Sequence, residues 1–165
     1  MKPKIILDPA FRRINEIFDP ADLARLYALA DVIWGQDEPM PPEALDDARA
    51  DAFAIVTGRW RYGDLATMPN LRAILEVGGR HPSPQVLDYP TCFARGIRVL
   101  GCAPAFGPMV AELALGMALA AARQIVHNHV RFTQGTEQWL HAGNVDSFTL
   151  YGQTVGFIGF GGLAR

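Results

Sequence analysis

The chain has 165 residues, half of them apolar, and its 15 lysines and arginines stand against 17 aspartates and glutamates, for a net charge of -2. This balance, with no basic run, excludes the electrostatic pattern typical of nucleic-acid binding, while the apolar content is sufficient for a folded core. The two cysteines, Cys92 and Cys102, match no zinc or disulfide spacing, so we predict reduced thiols, a cytoplasmic location and no metal site.

The first hundred residues alternate short apolar runs with helical patterns. Strands are predicted at residues 5–7, 32–34, 53–57, 71–77 and 97–100. Asp19-Pro20 supplies an N-cap and a first-turn proline for one helix, a second helix begins at Pro41-Pro42, and a third lies within residues 86–95. Because the connections are short, this alternation predicts an α/β fold with a parallel sheet and helices on both faces, either flavodoxin-like or Rossmann-like.

A segment from Gly101 to Pro108 interrupts the alternation and predicts a domain boundary. The helix predicted after it, at residues 109–126, is apolar nearly all round and therefore needs covering on more than one side. Its apolar stretch, residues 109–122, is too short to span a bilayer and contains Glu112, so no membrane partner is predicted. A helix of this kind is expected to lie between domains or subunits.

The last residues contain a glycine-rich motif. A β-rich run at 154–158 leads into Gly159-x-Gly161-x-x-Ala164, in which the first glycine permits a tight turn and the second lets the backbone approach a pyrophosphate. The motif predicts the beginning of a dinucleotide-binding βαβ unit. The alternative is a glycine-rich strand-to-helix turn that binds nothing.

From about residue 50 onward the chain resembles the amino-terminal half of the NAD-dependent D-isomer-specific 2-hydroxyacid dehydrogenases, a family that includes glyoxylate/hydroxypyruvate reductases and phosphoglycerate dehydrogenases. The resemblance implies a flavodoxin-like substrate domain at residues 1–101. It also implies an interdomain and dimer helix and the first strand of a truncated Rossmann domain at 102–165. It rests on Pro69-Asn70-Leu71-Arg72-Ala73-Ile74, Val77-Gly78-Gly79, Arg95-Gly96-Ile97-Arg98-Val99, Val110-Ala111-Glu112 and the run from Leu150 to Gly161.

The resemblance also assigns candidate site residues. It implies that the backbone N–H groups of Val77, Gly78 and Gly79 lie near the substrate carboxylate, where glycine permits close approach. The residues alone leave alternatives open, because Gly78-Gly79 can be a simple turn after a strand. The following loop, Arg80-His81-Pro82-Ser83-Pro84, departs from the family pattern, which carries an acid within two or three residues of the substrate glycine.

On the cofactor side, the resemblance implies contacts from Val110 and from the glycine-rich motif. Val110 can equally be a core residue. The motif residues expected to meet the pyrophosphate of NAD or NADP are Gly159, Gly161, Gly162 and Leu163.

Members of the family transfer hydride between a nicotinamide and a D-2-hydroxy acid or 2-keto acid, using an arginine, a histidine and an acid. All three are expected beyond residue 165, so no catalytic residue is assigned and the chain alone is predicted to be inactive. A homodimer through the long helix is predicted. His127 and His129 would lie on opposite faces of a helix and are interpreted as a solvated helix end. The alternative function is a catalytically silent dimeric interaction or regulatory module.

Overall fold

The structure, a computed structural model, describes residues 2–162 and residue 164. Its chain forms two compact units, Met1–Ala103 and Pro104–Arg165. The division falls two residues after the boundary predicted between residues 101 and 102.

The first unit contains a five-stranded sheet in which every strand pairs in parallel with its neighbours. The strand order is β2-β1-β3-β4-β5, the order of flavodoxin-like folds, so the predicted α/β class is confirmed. The strands are β1 Lys4–Asp8, β2 Asp31–Gly35, β3 Ala52–Thr57, β4 Ala73–Glu76 and β5 Arg98–Gly101. The helices of this unit are α1 Ile14–Ile17, α2 Pro20–Leu29, α3 Pro42–Ala48 and α4 Tyr89–Ala94, with a 3-10 turn at Leu65–Thr67.

Both faces of the central strands are buried, as their nearly continuous apolar sequences predict. Successive side chains alternate between faces: Ile6, Ile55 and Ile74 join one core cluster, which includes residues of α3 and α4. Leu7 and Val56 join a second cluster, against which residues of α1 and α2 pack. The helices therefore hold the sheet from both sides and leave its carboxyl edge to the loops.

Local signals fix the helix ends. The side chain of Asp19 accepts a hydrogen bond from the Asp22 N–H at 2.8 Å, and Pro20 occupies the first turn of α2, as predicted. Asp88 caps α4 in the same way through the Thr91 N–H, so α4 begins three residues later than the first residue of the predicted range. Gly96 follows α4 with a φ of 68°, a backbone conformation that favours glycine.

The second unit contains α5, Ala103–Ala122, and α6, Ile125–Thr133. The prediction of a single helix at residues 109–126 is wrong at both ends. α5 begins before Pro108 and includes it, and Gln124, in a left-handed conformation (φ 52°), separates α5 from α6. The apolar stretch at residues 109–122 was predicted to be too short to span a bilayer. This prediction is also wrong, because the stretch belongs to α5, which has the length and composition of a membrane-crossing helix. One such helix is weak evidence for a membrane, and the predicted absence of a membrane partner stays a prediction.

Residues 154–158, predicted as the first cofactor strand, have no strand structure. A parallel strand requires neighbours that satisfy its N–H and C=O groups. The only sheet among the residues that the structure describes is formed by residues 4–101, within the first unit. The cofactor strand is therefore not formed among the residues that the structure describes.

Candidate functional site

Buried polar side chains mark the carboxyl edge of the sheet. In the part of the chain that the structure describes, the buried polar or charged residues are Asp8, Thr57 and Glu76. They are the last residues of β1, β3 and β4, and the strand register pairs Asp8 with Thr57 and Thr57 with Glu76. Ligands of open parallel sheets bind outside the carboxyl ends of the strands, so this row indicates where the site lies.

Asp8 anchors the segment that follows β3. Its Oδ2 atom accepts hydrogen bonds from Arg61 Nη2 at 2.6 Å and from the Tyr62 hydroxyl at 2.8 Å. Burial raises the pKa of Tyr62 against the opposing effect of its hydrogen bond with Thr57, so the hydroxyl stays protonated and donates to the carboxylate. Trp60, the residue before Arg61, packs edge-on against Tyr62 with ring centroids 5.2 Å apart.

The loop after β4 contains the three residues predicted to bind the substrate carboxylate. The Val77 N–H donates to the Thr57 carbonyl at 2.9 Å and is therefore not free for a ligand. The prediction for Val77 is corrected accordingly, because its buried position continues the sheet pairing by one residue. The Gly78 N–H donates to Glu76 Oε1 at 3.0 Å. The Gly79 N–H has no acceptor among the described residues, and no atom lies within 4 Å of a Cβ built at Gly79.

Contacts with β5 and α4 hold this loop in place. The Gly78 carbonyl accepts from the Cys102 N–H at 3.2 Å, and a Cβ built on Gly101 would lie 3.3 Å from the His81 ring. Farther along, the Tyr89 hydroxyl donates to the Pro82 carbonyl at 2.6 Å. The loop Arg80–Pro84, which departs from the family pattern, is thus packed against the sheet edge.

A cavity of about 620 Å³ lies between the loops after β1, β3 and β4. Its charged lining residues are Arg59, Arg80 and Glu76, joined by His81. Phe11 and Trp60 supply apolar surface. Two guanidinium groups against one carboxylate give the cavity a net positive charge, which suits a small anion.

Glu76 is the ionisable residue buried within this cavity. Burial raises the pKa of its carboxyl group, while the Gly78 N–H and the nearby His81 act in the opposite direction. The sequence analysis did not assign Glu76, Arg59 or the Asp8 network. The available signal was an acid as the last residue of a buried apolar strand, which occurs at Asp8 and again at Glu76.

The predicted cofactor residues lie in the second unit. Gly159 has a φ of 88°, the left-handed conformation expected of the first motif glycine. A Cβ built on Gly107 of α5 would lie 3.7 Å from the Gly162 carbonyl oxygen, so the motif approaches the first turns of α5. Val110 is one turn farther along α5 and is exposed, which does not fit the alternative of a core residue within this chain. Leu163 lies outside the described residues.

No protein-family model matches the chain. A hydroxypyruvate reductase from Thermotoga maritima is 37% identical over 79 residues, which cover 48% of this chain and 25% of the relative. A solved phosphoglycerate oxidoreductase from Rhizobium etli has a TM-score of 0.75 at 32% identity, over 99% of this chain and 50% of that one. An NADPH-dependent glyoxylate/hydroxypyruvate reductase from Sinorhizobium meliloti, solved with NADP and malonate, has a TM-score of 0.58 at 22% identity. At this identity the similarity supports a shared fold and nothing more.

The sheet order and the glycine loop after β4 define the class as a flavodoxin-like α/β domain with a cavity at the carboxyl edge of its sheet. The sequence similarity to the hydroxypyruvate reductase and the phosphoglycerate oxidoreductase confirms the resemblance to the D-isomer-specific 2-hydroxyacid dehydrogenase family. The chain spans about half the length of the solved relatives.

Proposed function

We propose that the chain forms the substrate domain and the beginning of the cofactor-binding domain of an NAD(P)-dependent oxidoreductase. This enzyme would act on a D-2-hydroxy acid or 2-keto acid. The observation that carries this proposal is the glycine loop after β4, which lines a net-positive cavity at the carboxyl edge of a flavodoxin-like sheet. The activities of two similar proteins, a hydroxypyruvate reductase and a phosphoglycerate oxidoreductase, support it.

In this proposal, the Gly78 and Gly79 amides bind the substrate carboxylate. Arg59 and Arg80 attract the anion into the cavity and exclude cations by charge. Phe11 and Trp60 limit the space beside the carboxylate and exclude water from one side of it. The arginine, histidine and acid that would act on the hydroxyl-bearing carbon are not assigned to any residue of this chain.

The glycine-rich motif fits a dinucleotide at the level of its backbone. Gly159 has the required left-handed conformation, and a Cβ built on Gly161 or Gly162 meets no described atom within 4 Å. Open backbone of this kind permits the approach of a pyrophosphate, and in this proposal Val110 contacts the cofactor from α5. When bound, the nicotinamide would accept or donate the hydride. Both NAD and NADP remain within the proposal, and NADP is the cofactor bound in the Sinorhizobium relative.

We expect the 165-residue chain alone to catalyse no hydride transfer, because none of its residues is assigned to the acid/base step. Nicotinamide absorbance with glyoxylate or hydroxypyruvate is the assay, on a sample whose intact mass matches the chain. Turnover by that sample would contradict the expectation.

The gene past codon 165 provides the independent test of the oxidoreductase proposal. We expect a βαβ continuation with an acid about 20 residues beyond the motif, and later an arginine, a glutamate and a histidine. A reading frame without them would favour the alternative, a catalytically silent dimeric interaction or regulatory module.

We further propose that the chain self-associates through α5 and acts in the cytoplasm. Most large apolar side chains of α5 are exposed in the single chain, among them Met109, Leu113, Leu115 and Met117. Exposed apolar side chains grouped on one helix are typical of a protein–protein interface. Light scattering at tens of micromolar should give twice the chain mass, and a stable monomer would contradict the proposal.

A further inference from the structure

The carboxylate of Glu76 occupies the position where a substrate carboxylate is proposed to bind. Its Oε1 atom accepts the Gly78 N–H at 3.0 Å. A Cβ built on Gly78 would lie 3.1 Å from the same oxygen, which shows how closely the carboxylate covers this amide. The residue is 6% exposed and lines the cavity, so its carboxylate and an incoming anion would compete for the same donor.

No charge partner neutralises this carboxylate. Within residues 2–162 and 164, Glu76 forms no ion pair at 4.0 Å or less. The charged or titratable groups that face it are Arg59 from the loop after β3, Arg80 and His81 from its own loop, and Tyr89 from α4. Burial raises the pKa of Glu76, so protonation near neutrality costs less than for an exposed glutamate.

We propose that Glu76 is an internal ligand of the Gly78 amide and determines when the loop accepts an anion: a 2-hydroxy acid binds there when Glu76 has taken up a proton from solvent. The proposal rests on the proposed function, in which this loop binds the substrate carboxylate. It adds a specificity-determining residue, since two carboxylates cannot share one buried donor while both are ionised.

Proton linkage gives the size of the effect. If one proton is taken up for each anion bound, the affinity falls by up to about tenfold for each pH unit above the pKa of Glu76. Glu76→Gln keeps the shape of the side chain and removes its charge. The amide oxygen is also a weaker acceptor for Gly78 than a carboxylate. The variant should therefore bind anions more tightly at neutral pH and lose most of the pH dependence.

The test is a titration of the isotope-labelled 165-residue chain with glycolate, followed through the Gly78 and Gly79 amide signals between about pH 5 and pH 8. Glu43→Gln is the matched control, because Glu43 lies exposed in the first turn of α3 and loses the same charge. His81→Asn is the second variant, because His81 lines the same cavity and lies near Glu76. Glu76→Ala, checked for folding by circular dichroism, frees the Gly78 amide completely.

We expect the wild type, E43Q and H81N to lose affinity with the same slope as the pH rises. E76Q should bind at least tenfold more tightly than the wild type near neutrality, with a nearly flat profile. The proposal is overturned if E76Q binds glycolate as weakly as the wild type or more weakly. It is also overturned if the pH dependence of the affinity disappears in H81N and persists in E76Q. In both cases the loop is still an anion site. If glycolate moves neither amide in any variant, both this proposal and the assignment of the loop are overturned.

Discussion

Removing the Arg61 side chain should destabilise the first unit more than removing the charge of Asp8, with which Arg61 forms an ion pair. The Asp8 side chain is 0% exposed, and its Oδ2 atom is held by Arg61 at 2.6 Å and by Tyr62 at 2.8 Å. Its second oxygen, Oδ1, is buried without a partner. Arg61→Ala therefore leaves an ionised carboxylate in the core with a single hydroxyl donor.

The magnitude follows from this geometry. Breaking a buried ion pair on one side costs about 3–5 kcal/mol. The Arg61 side chain is 35% exposed, so solvent screens part of the interaction and we expect about 2–3 kcal/mol. Asp8→Asn keeps an acceptor for Tyr62 and leaves Arg61 access to water, which should limit its cost to about 1 kcal/mol. The double variant should cost no more than R61A alone, because D8N removes the unpaired charge.

Urea unfolding of the four proteins, followed by circular dichroism, measures this cycle. Arg98→Ala is the matched control, since Arg98 is an exposed β5 residue whose side chain has no ion pair among the described residues. It should change the free energy of unfolding by less than about 0.5 kcal/mol. Additive costs for D8N and R61A would refute the view that these residues stabilise the cavity wall as a buried pair.

Three further results are expected. Gly58→Ala should cost about 1–3 kcal/mol by urea unfolding, because its Cβ would lie 2.5 Å from the Pro9 carbonyl oxygen, whereas Gly79→Ala, with open space around it, should be neutral. Burial raises the pKa of Glu76, so the free energy of unfolding that this group contributes is complete below the ordinary pKa of 4.5 and is lost as the pH rises through the folded-state pKa. E76Q should abolish this decline in stability with pH. An unchanged pH profile of the free energy of unfolding in E76Q would contradict the prediction. Calorimetric titration should show weak or no binding of NAD or NADP, because residues 154–158 form no strand, and a low micromolar dissociation constant would contradict this.

Much of the first unit could be predicted from the sequence because its signals are local. Apolar runs of three to seven residues place all five strands within two residues of their observed ends. The cap at Asp19 and the proline after it place the beginning of α2. The four-residue helix α1 was not predicted, since it is too short for an apolar period to show.

The errors in the second unit have a different cause. Pro104 and Pro108 were interpreted as interrupting the chain, yet α5 includes both, the second of them inside the helix. No glycine marks the break at Gln124, where a non-glycine residue adopts a left-handed conformation. The strand predicted at residues 154–158 has the right composition, but composition cannot supply the neighbouring strands that a parallel sheet requires.

The candidate site shows the same limit, because its chemistry depends on which strand ends meet. Asp8 is separated from Thr57 by 49 positions and from Glu76 by 68, and only the 2-1-3-4-5 strand order brings the three residues side by side. Their partners then separate their roles. Asp8 is paired with Arg61 and Tyr62, and the Thr57 hydroxyl donates to the Arg59 carbonyl, so both stabilise the loop after β3.

Glu76 differs from Asp8 and Thr57 because it accepts its hydrogen bond from a backbone amide of the glycine loop. Burial also raises the pKa of its carboxyl group. A residue selected for stability alone would be expected to have a charge partner or an apolar replacement, since an unpaired buried charge is costly. The cost is explained if the amide that Glu76 covers is one that a ligand must reach. Glu76 is therefore assigned a role in ligand binding, because it has no charge partner among the described residues, whereas Asp8 and Thr57 bond to the segment after β3 and stabilise it.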